Sequence, residues 1–137
     1  MLQRDYIMRL IREFMAALQL LLEGKDLEHR REELKKLYEQ YIGPYELYHN
    51  ATIDEAMRAL VTYDESQRLD RMEMLAELYY ADADTVTGPD RNFLLDKAFN
   101  LFSFIERNGK TFSMDRRYKM ALIEQRMKKC SGKTRCE

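Results

Sequence analysis

Apolar residues return every three or four positions along nearly the whole chain, a period that predicts helices throughout. Over residues 2–23, Tyr6, Ile7, Leu10, Ile11, Phe14, Leu18, Leu21 and Leu22 form one stripe. Arg9, Arg12, Glu13 and Glu23 fall off it, and Gly24 ends it. Asp26 is placed to cap a second helix to Ile42, with Leu27, Leu34, Leu37, Tyr38 and Tyr41 inward and Gly43-Pro44 as its stop. Arg30 and Arg31 interrupt that stripe, so its first turns are expected to overhang solvent. Tyr45 to Asn50 reads as a connector with room for one helical turn. Thr52-Ile53-Asp54-Glu55 is a capping box opening a short helix with Ile53, Ala56, Met57, Leu60 and Val61 inward. Asp64-Glu65-Ser66-Gln67 repeats the arrangement before Leu69, Met72, Leu75, Ala76, Tyr79 and Tyr80.

Asp82 to Pro89 reads as a polar loop, and the stretch from Asn92 to Gly109 as the central helix. On a wheel of about 100° per residue, Leu94, Leu95, Ala98, Phe99, Leu101, Phe102 and Ile105 span an arc of roughly 160°. Phe93 and Phe104 stand together on nearly the opposite side, where a second subunit or the first helix would cover them. Gly88-Pro89 marks the start, and Asn108-Gly109 predicts a left-handed stop. Ser113 caps a last helix whose inward residues are expected to be Tyr118, Ala121, Leu122 and Met127. The expected fold is all-α: five to six helices in antiparallel hairpins, forming an irregular bundle or tetratricopeptide-like array. A single helical domain over 1–127 precedes a basic, flexible tail over 128–137.

Composition narrows the class. Nine Met and nine Tyr against five Gly and two Pro favour long helices over a turn-rich β protein. Arg4, Arg9 and Arg12 break the first apolar stretch, which excludes a membrane span or signal-peptide core there and makes the cytoplasm the default location. Cys130 and Cys136, both near the C-terminus, form no disulfide framework and fit a reducing compartment.

The net charge of −1 hides an uneven distribution. Residues 46–90 carry 11 acidic and 3 basic side chains, whereas 107–137 carry 3 acidic and 10 basic. Two readings stay open: solvated helix faces with a basic tail, or two regions that face each other within a chain or between chains.

Candidate chemistry centres on the two histidines, each with an acid three residues before it: Asp26 before His29, and Glu46 before His49. That spacing puts carboxylate and imidazole on one helical face, as in di-metal carboxylate bundles. Asp26 is also a cap, however, and Glu46-His49 lies in a segment too short for a bundle helix. No metal or cofactor is therefore assigned, and Asp26, His29, Glu46 and His49 remain the candidate ligands for an alternative, ligand- or metal-binding reading. Asp82-Ala83-Asp84-Thr85-Val86-Thr87-Gly88 fails as a calcium loop, having Thr87 where Gly is needed and Phe93 where Glu is needed. No phosphate loop or nucleophile motif is present, so no enzyme is expected. Arg116, Arg117, Lys119, Lys128 and Lys129 around Tyr118 offer a third reading, nucleic-acid binding, against which stands a pI of about 6.2.

The helix pairs from Leu69 onward, with Ala98 and Ala121 at close-approach positions, resemble tetratricopeptide-type hairpins, without the Trp and Gly-Tyr signatures of that repeat. Arg4-Asp5-Tyr6-Ile7-Met8-Arg9-Leu10-Ile11 is similar to the start of a family of small bacterial helical proteins of unknown function. Leu94-Leu95-Asp96-Lys97-Ala98, followed by Thr111-Phe112-Ser113-Met114-Asp115-Arg116, resembles that family's C-terminal half. The resemblance implies a repeat-like helical fold and brings no site residues. The leading expectation is a non-catalytic protein–protein interaction or self-assembly module, with an unknown protein partner or a homodimer, and Phe93 and Phe104 as its candidate interface.

Overall fold

Caps and stops set the helix boundaries. In the computed structural model, the described backbone covers residues 2–109 and 112–131, and the described side chains cover 5–109 and 112–127. Among the described residues seven α-helices follow one another: α1 (Leu2–Leu22), α2 (Leu27–Tyr41), α3 (Tyr45–Asn50), α4 (Ile53–Leu60), α5 (Glu65–Asp82), α6 (Gly88–Asn108) and α7 (Met114–Ser131). A 3₁₀ turn, Ala83–Thr85, follows α5, and no strand occurs among the described residues. The count exceeds the expected five to six because the 45–50 connector closes into a helix of its own. Asp26 caps α2 through the amides of Glu28 and His29, Thr52 and Glu55 form their reciprocal box, and Ser113 Oγ accepts from the Arg116 amide. Asp64 caps α5 through Ser66, while Gln67 turns to Arg71 and leaves that box half made.

Two glycines do different work from each other. Gly88 takes a left-handed φ of 61° as the chain enters α6. Gly109 is extended at φ −87°, which corrects the expected left-handed stop. Its need for glycine is steric, since a Cβ there would sit 2.8 Å from the Ile105 carbonyl oxygen.

Cross-helix pairs give the topology. Arg30 reaches the Leu22 carbonyl and the Phe14 ring meets Tyr41, so α1 and α2 run antiparallel. Arg71 reaches the Tyr41 carbonyl, Tyr38 meets Tyr79, and Arg31 reaches the Thr85 carbonyl, so α2 and α5 are antiparallel as well. Glu73, Glu77 and Asp84 of α5 and its following turn pair in order with Arg116, Lys119 and Arg126 of α7. Helices α5 and α7 therefore run side by side in one direction, with α6 returning between them. The acidic and basic regions face each other within the chain, over sequence separations of 42 and 43 residues. That spacing is longer than the 34 residues of a tetratricopeptide repeat.

The hub is α5, not α6 as the apolar arc suggested. Met72, Met74, Leu75, Ala76, Leu78, Tyr79 and Ala81 are buried around its whole circumference, together with Arg71, Glu77 and Asp82. A helix buried on all sides reads as amphipathic only if its polar residues are solvated, and here each has a partner from another helix. Of the α6 arc, Leu94, Leu95, Ala98, Leu101, Phe102 and Ile105 are buried, and Phe99 is half-buried. In α1, Ile7, Phe14 and Leu18 are buried, whereas Tyr6 and Leu22 are exposed at the edges of the stripe. Leu27 and Val61, expected inward, are also exposed.

The helices close one another's ends. α1, α2 and α5 have no basic residue in the last turn, yet their C-terminal carbonyls are not left open. Arg30 donates to the carbonyls of Leu22 and Gly24, Arg71 to Tyr41, Arg68 to Val61 and Tyr63, and Arg91 to Ala83 and Val86. A cation from a later helix thus satisfies orphan acceptors and meets the negative end of the dipole.

Candidate functional site

The densest chemistry lies where α2, α3, α5 and α6 meet. Asp82, at the last position of α5, is buried; its Oδ2 accepts from Tyr38 Oη at 2.9 Å and sits 2.6 Å from His49 Nδ1. Its Oδ1 is 3.0 Å from Thr85 Oγ1. Burial raises the Tyr38 pKa well above the ordinary phenol value, reinforced by the Asp82 charge, and keeps the phenol a donor. His49 stacks on Tyr45 with ring centroids 4.8 Å apart. Burial, with Asp82 and Glu46 nearby, pushes the Tyr45 pKa up to about 12. The His49 side chain is 22% exposed, and its Nε2 makes no hydrogen bond among the described residues. A carboxylate on Nδ1 and a free Nε2 is the geometry that orients an imidazole for proton transfer or metal ligation. Either role needs a further group, and no set of three His, Cys, Asp or Glu that could hold a metal occurs among the described residues.

Lys97 closes α3. Its residue is 1% exposed, and Nζ donates to the carbonyls of His49 at 2.9 Å and Ala51 at 2.8 Å, with the Tyr48 carbonyl at 3.3 Å. Tyr79 Oη also donates to Tyr48 O, at 2.6 Å. The ammonium lies 4.2 Å from the ring centroids of both Tyr79 and Phe93. Burial lowers its pKa to about 8, while the charges of Asp82 and Glu55 pull the other way. Two buried ions therefore clamp a six-residue helix that has no hydrophobic length to hold it alone.

The second constellation joins α7 to α5 and α6. Arg116 is 1% exposed; its Nε and Nη2 reach Glu106 Oε1 at 2.6 Å, and Nη1 reaches Glu73 at 3.2 Å. Arg117 Nε donates to Glu106 Oε2 at 2.9 Å, and Lys119 bridges Glu77 at 2.6 Å and Asp115 at 3.0 Å. Arg116, Met120, Ile123 and Met127 form the inward stripe of α7, each within about 40° of one direction. This corrects the expected inward set: Tyr118 and Ala121 face out, because the true stripe begins on an arginine that binary patterning counts as polar. Opposite it, Met114 at 75% exposure, Tyr118 at 64% and Ala121 form a second apolar stripe ending on Gln125, with Phe112 at 63% beside its start.

The anticipated site residues are dispersed. Asp26 is a cap, His29 is exposed near Glu33, and Glu46 meets Asn50 one turn on. His49 finds Asp82, 33 residues away, and not Glu46. Phe93 lies over Lys97, and Phe104 packs half-buried against the core, so both rings have contacts within the chain. Of the basic group, Arg116, Arg117 and Lys119 are each held by carboxylates. The Cys130 side chain and Cys136 lie outside the described residues, as does the expected tail beyond Ser131. Patterning along the chain gives Tyr38 a core place and Asp82 a loop place but assigns no site role to either or to Lys97, although one signal exists: on the wheel Lys97 stands one turn from Phe93 and at the edge of the apolar arc. No helix among the described residues is long and apolar enough to cross a membrane. Searches of protein-family models, curated proteins and solved structures give no match to this chain.

Proposed function

We propose that the chain is a helical interaction module whose docking surface is the outward face of α7. One observation carries this reading: α7 is seated by its inward stripe and four ion-paired residues, and still presents Met114, Tyr118 and Ala121 to solvent in line on the opposite side. Single exposed apolar residues need no explanation, but aligned ones on a helix end of an array supply the kind of anchor row that partner helices read. Phe112, with the Arg117 guanidinium 4.6 Å from its ring centroid, extends the row with an aromatic–Arg pair of the type enriched at interface centres. The Tyr38–Asp82–His49 network fits this reading as scaffold, since it ties α2, α3 and the end of α5 together.

The test replaces Tyr118 with photo-reactive benzoylphenylalanine and irradiates the full chain in extract of its source organism. Defined protein adducts at position 118, absent when the same group is placed at exposed Asp54, are expected. No adduct at 118 would overturn the proposal.

A further inference from the structure

The outward stripe of α7 has the spacing of a coiled-coil seam. Met114, Tyr118, Ala121 and Gln125 recur at intervals of four, three and four, the pattern of core positions in a heptad. Arg116 and Ile123 then occupy the position farthest from the seam, in agreement with their burial against the protein's own core. Arg117 and Glu124 fall, seven residues apart, on one flank of the seam.

We infer that the occupant of this face is a second copy of the chain, its α7 laid antiparallel across a two-fold axis between Tyr118 and Ala121. This rests on the proposed interaction role and names the partner. Self-complementarity favours it in two independent ways. In the antiparallel register each Tyr118 lies over the small Ala121 of the second copy, and each Met114 over its Gln125, so large side chains meet small or flexible ones. In the same register Arg117 meets Glu124 of the second copy, and the symmetry makes that pair twice. A parallel pair would set Arg117 against Leu122 and lose both contacts. Arg117 spends Nε on Glu106 and its side chain stays 60% exposed, so its remaining nitrogens are placed for a second carboxylate. On the other flank Asp115 is held by Lys119 of its own chain and faces Leu122, which leaves no like charges opposed. The seam is about 17 Å long, a short contact, so the pair is expected to be weak and reversible, with a Kd on the order of 100 μM.

Sedimentation equilibrium on the full chain from about 5 to about 500 μM tests this, with circular dichroism as the control for folding. The wild type is expected to pass from monomer to dimer, and Tyr118→Glu to remain monomeric. Glu124→Arg alone, which sets arginines against each other, should weaken dimerisation about tenfold. Arg117→Glu alone opposes glutamates, and an equimolar mixture of these two variants should associate more tightly than either by itself. A wild type that stays monomeric at the highest concentration overturns the second copy. A dimer indifferent to position 118 and to the charge exchange overturns the α7 seam. The cross-linking outcome separates this failure from that of the docking role: adducts at position 118 of a mass other than twice the chain retain the role and reject self-pairing.

Discussion

Lys97 shows how a single residue can be both costly and structural. Its ammonium reaches three carbonyl oxygens at the end of α3; Tyr48 O also accepts from Tyr79 Oη, so removing Lys97 would take the donor from those of His49 and Ala51. The ammonium nevertheless suffers from burial, and the sign of the pH effect follows. Its pKa falls from 10.5 in the unfolded chain to about 8 in the folded one, so between those values the unfolded chain binds more protons. Stability from this group therefore rises with pH between those values, and its cost is fully present below about pH 8. Between pH 7 and 9 the gain is about 1 kcal/mol, before tyrosine ionisation in the unfolded chain reverses the trend above about pH 10. Urea unfolding at intervals over this range should show the rise in the wild type, and Lys97→Met should abolish it. A wild-type profile as flat as the variant's would show that Lys97 titrates as an exposed lysine does. This residue was half legible: its i,i+4 relation to Phe93 is in the sequence, but the carbonyls it serves are 46 to 49 residues away.

Elements were legible where their signals are local. Asp26, Thr52 with Glu55, and Ser113 cap as their spacing implies, and Asp64 caps without the return bond from Gln67, since a cap needs only residues within one turn. The register of α7 was not legible, because its inward stripe contains Arg116 and its outward one contains Met114 and Tyr118. Patterning ranks those residues in the reverse of their burial, and only the carboxylates of α5 and α6 explain the difference. That makes Arg116 the key to α7. Arg116→Met should cost about 2 to 4 kcal/mol: it takes Glu73's cation and one of the two cations of Glu106, which keeps Arg117, and the water contact of both carboxylates limits the penalty. Adding Glu106→Gln should recover part of the loss, a coupling that chemical unfolding of the single and double variants measures directly. Strict additivity of the two would mean that the buried guanidinium is held by packing alone.

At the scale of the whole molecule, the hydrophobic core joins α1 to α6 around α5, whereas among the described residues α7 adds to it one fully buried apolar side chain, Ile123, with Met120 and Met127 partly covered. Its attachment is mostly ionic, and elements held by few apolar contacts open below the global unfolding free energy. Native-state amide exchange should therefore place α7 in the first unit to open, with α5 in the last. Acid should detach it selectively, and the direction can be worked through. Partial burial raises the Glu106 pKa, but the hydrogen bonds and charges of Arg116 and Arg117 outweigh it and leave a lowered value. Stability from Glu106 is then present above the unfolded carboxylate pKa of about 4.3 and lost as pH falls through the lower folded value. Glu77 acts in the opposite sense. Burial raises its pKa against the pull of Lys119, so its share increases as pH falls toward the same value. The two act in separate windows: above about pH 4.3 only Glu77 titrates, so the docking of α7 should strengthen slightly as pH falls to that value and weaken below it as Glu106 is protonated. Amide cross-peaks of α7 in heteronuclear NMR should lose dispersion at about pH 3.5 while those of α5 persist. Simultaneous loss in both helices would show that the ion-paired seam is no weaker than the core it covers.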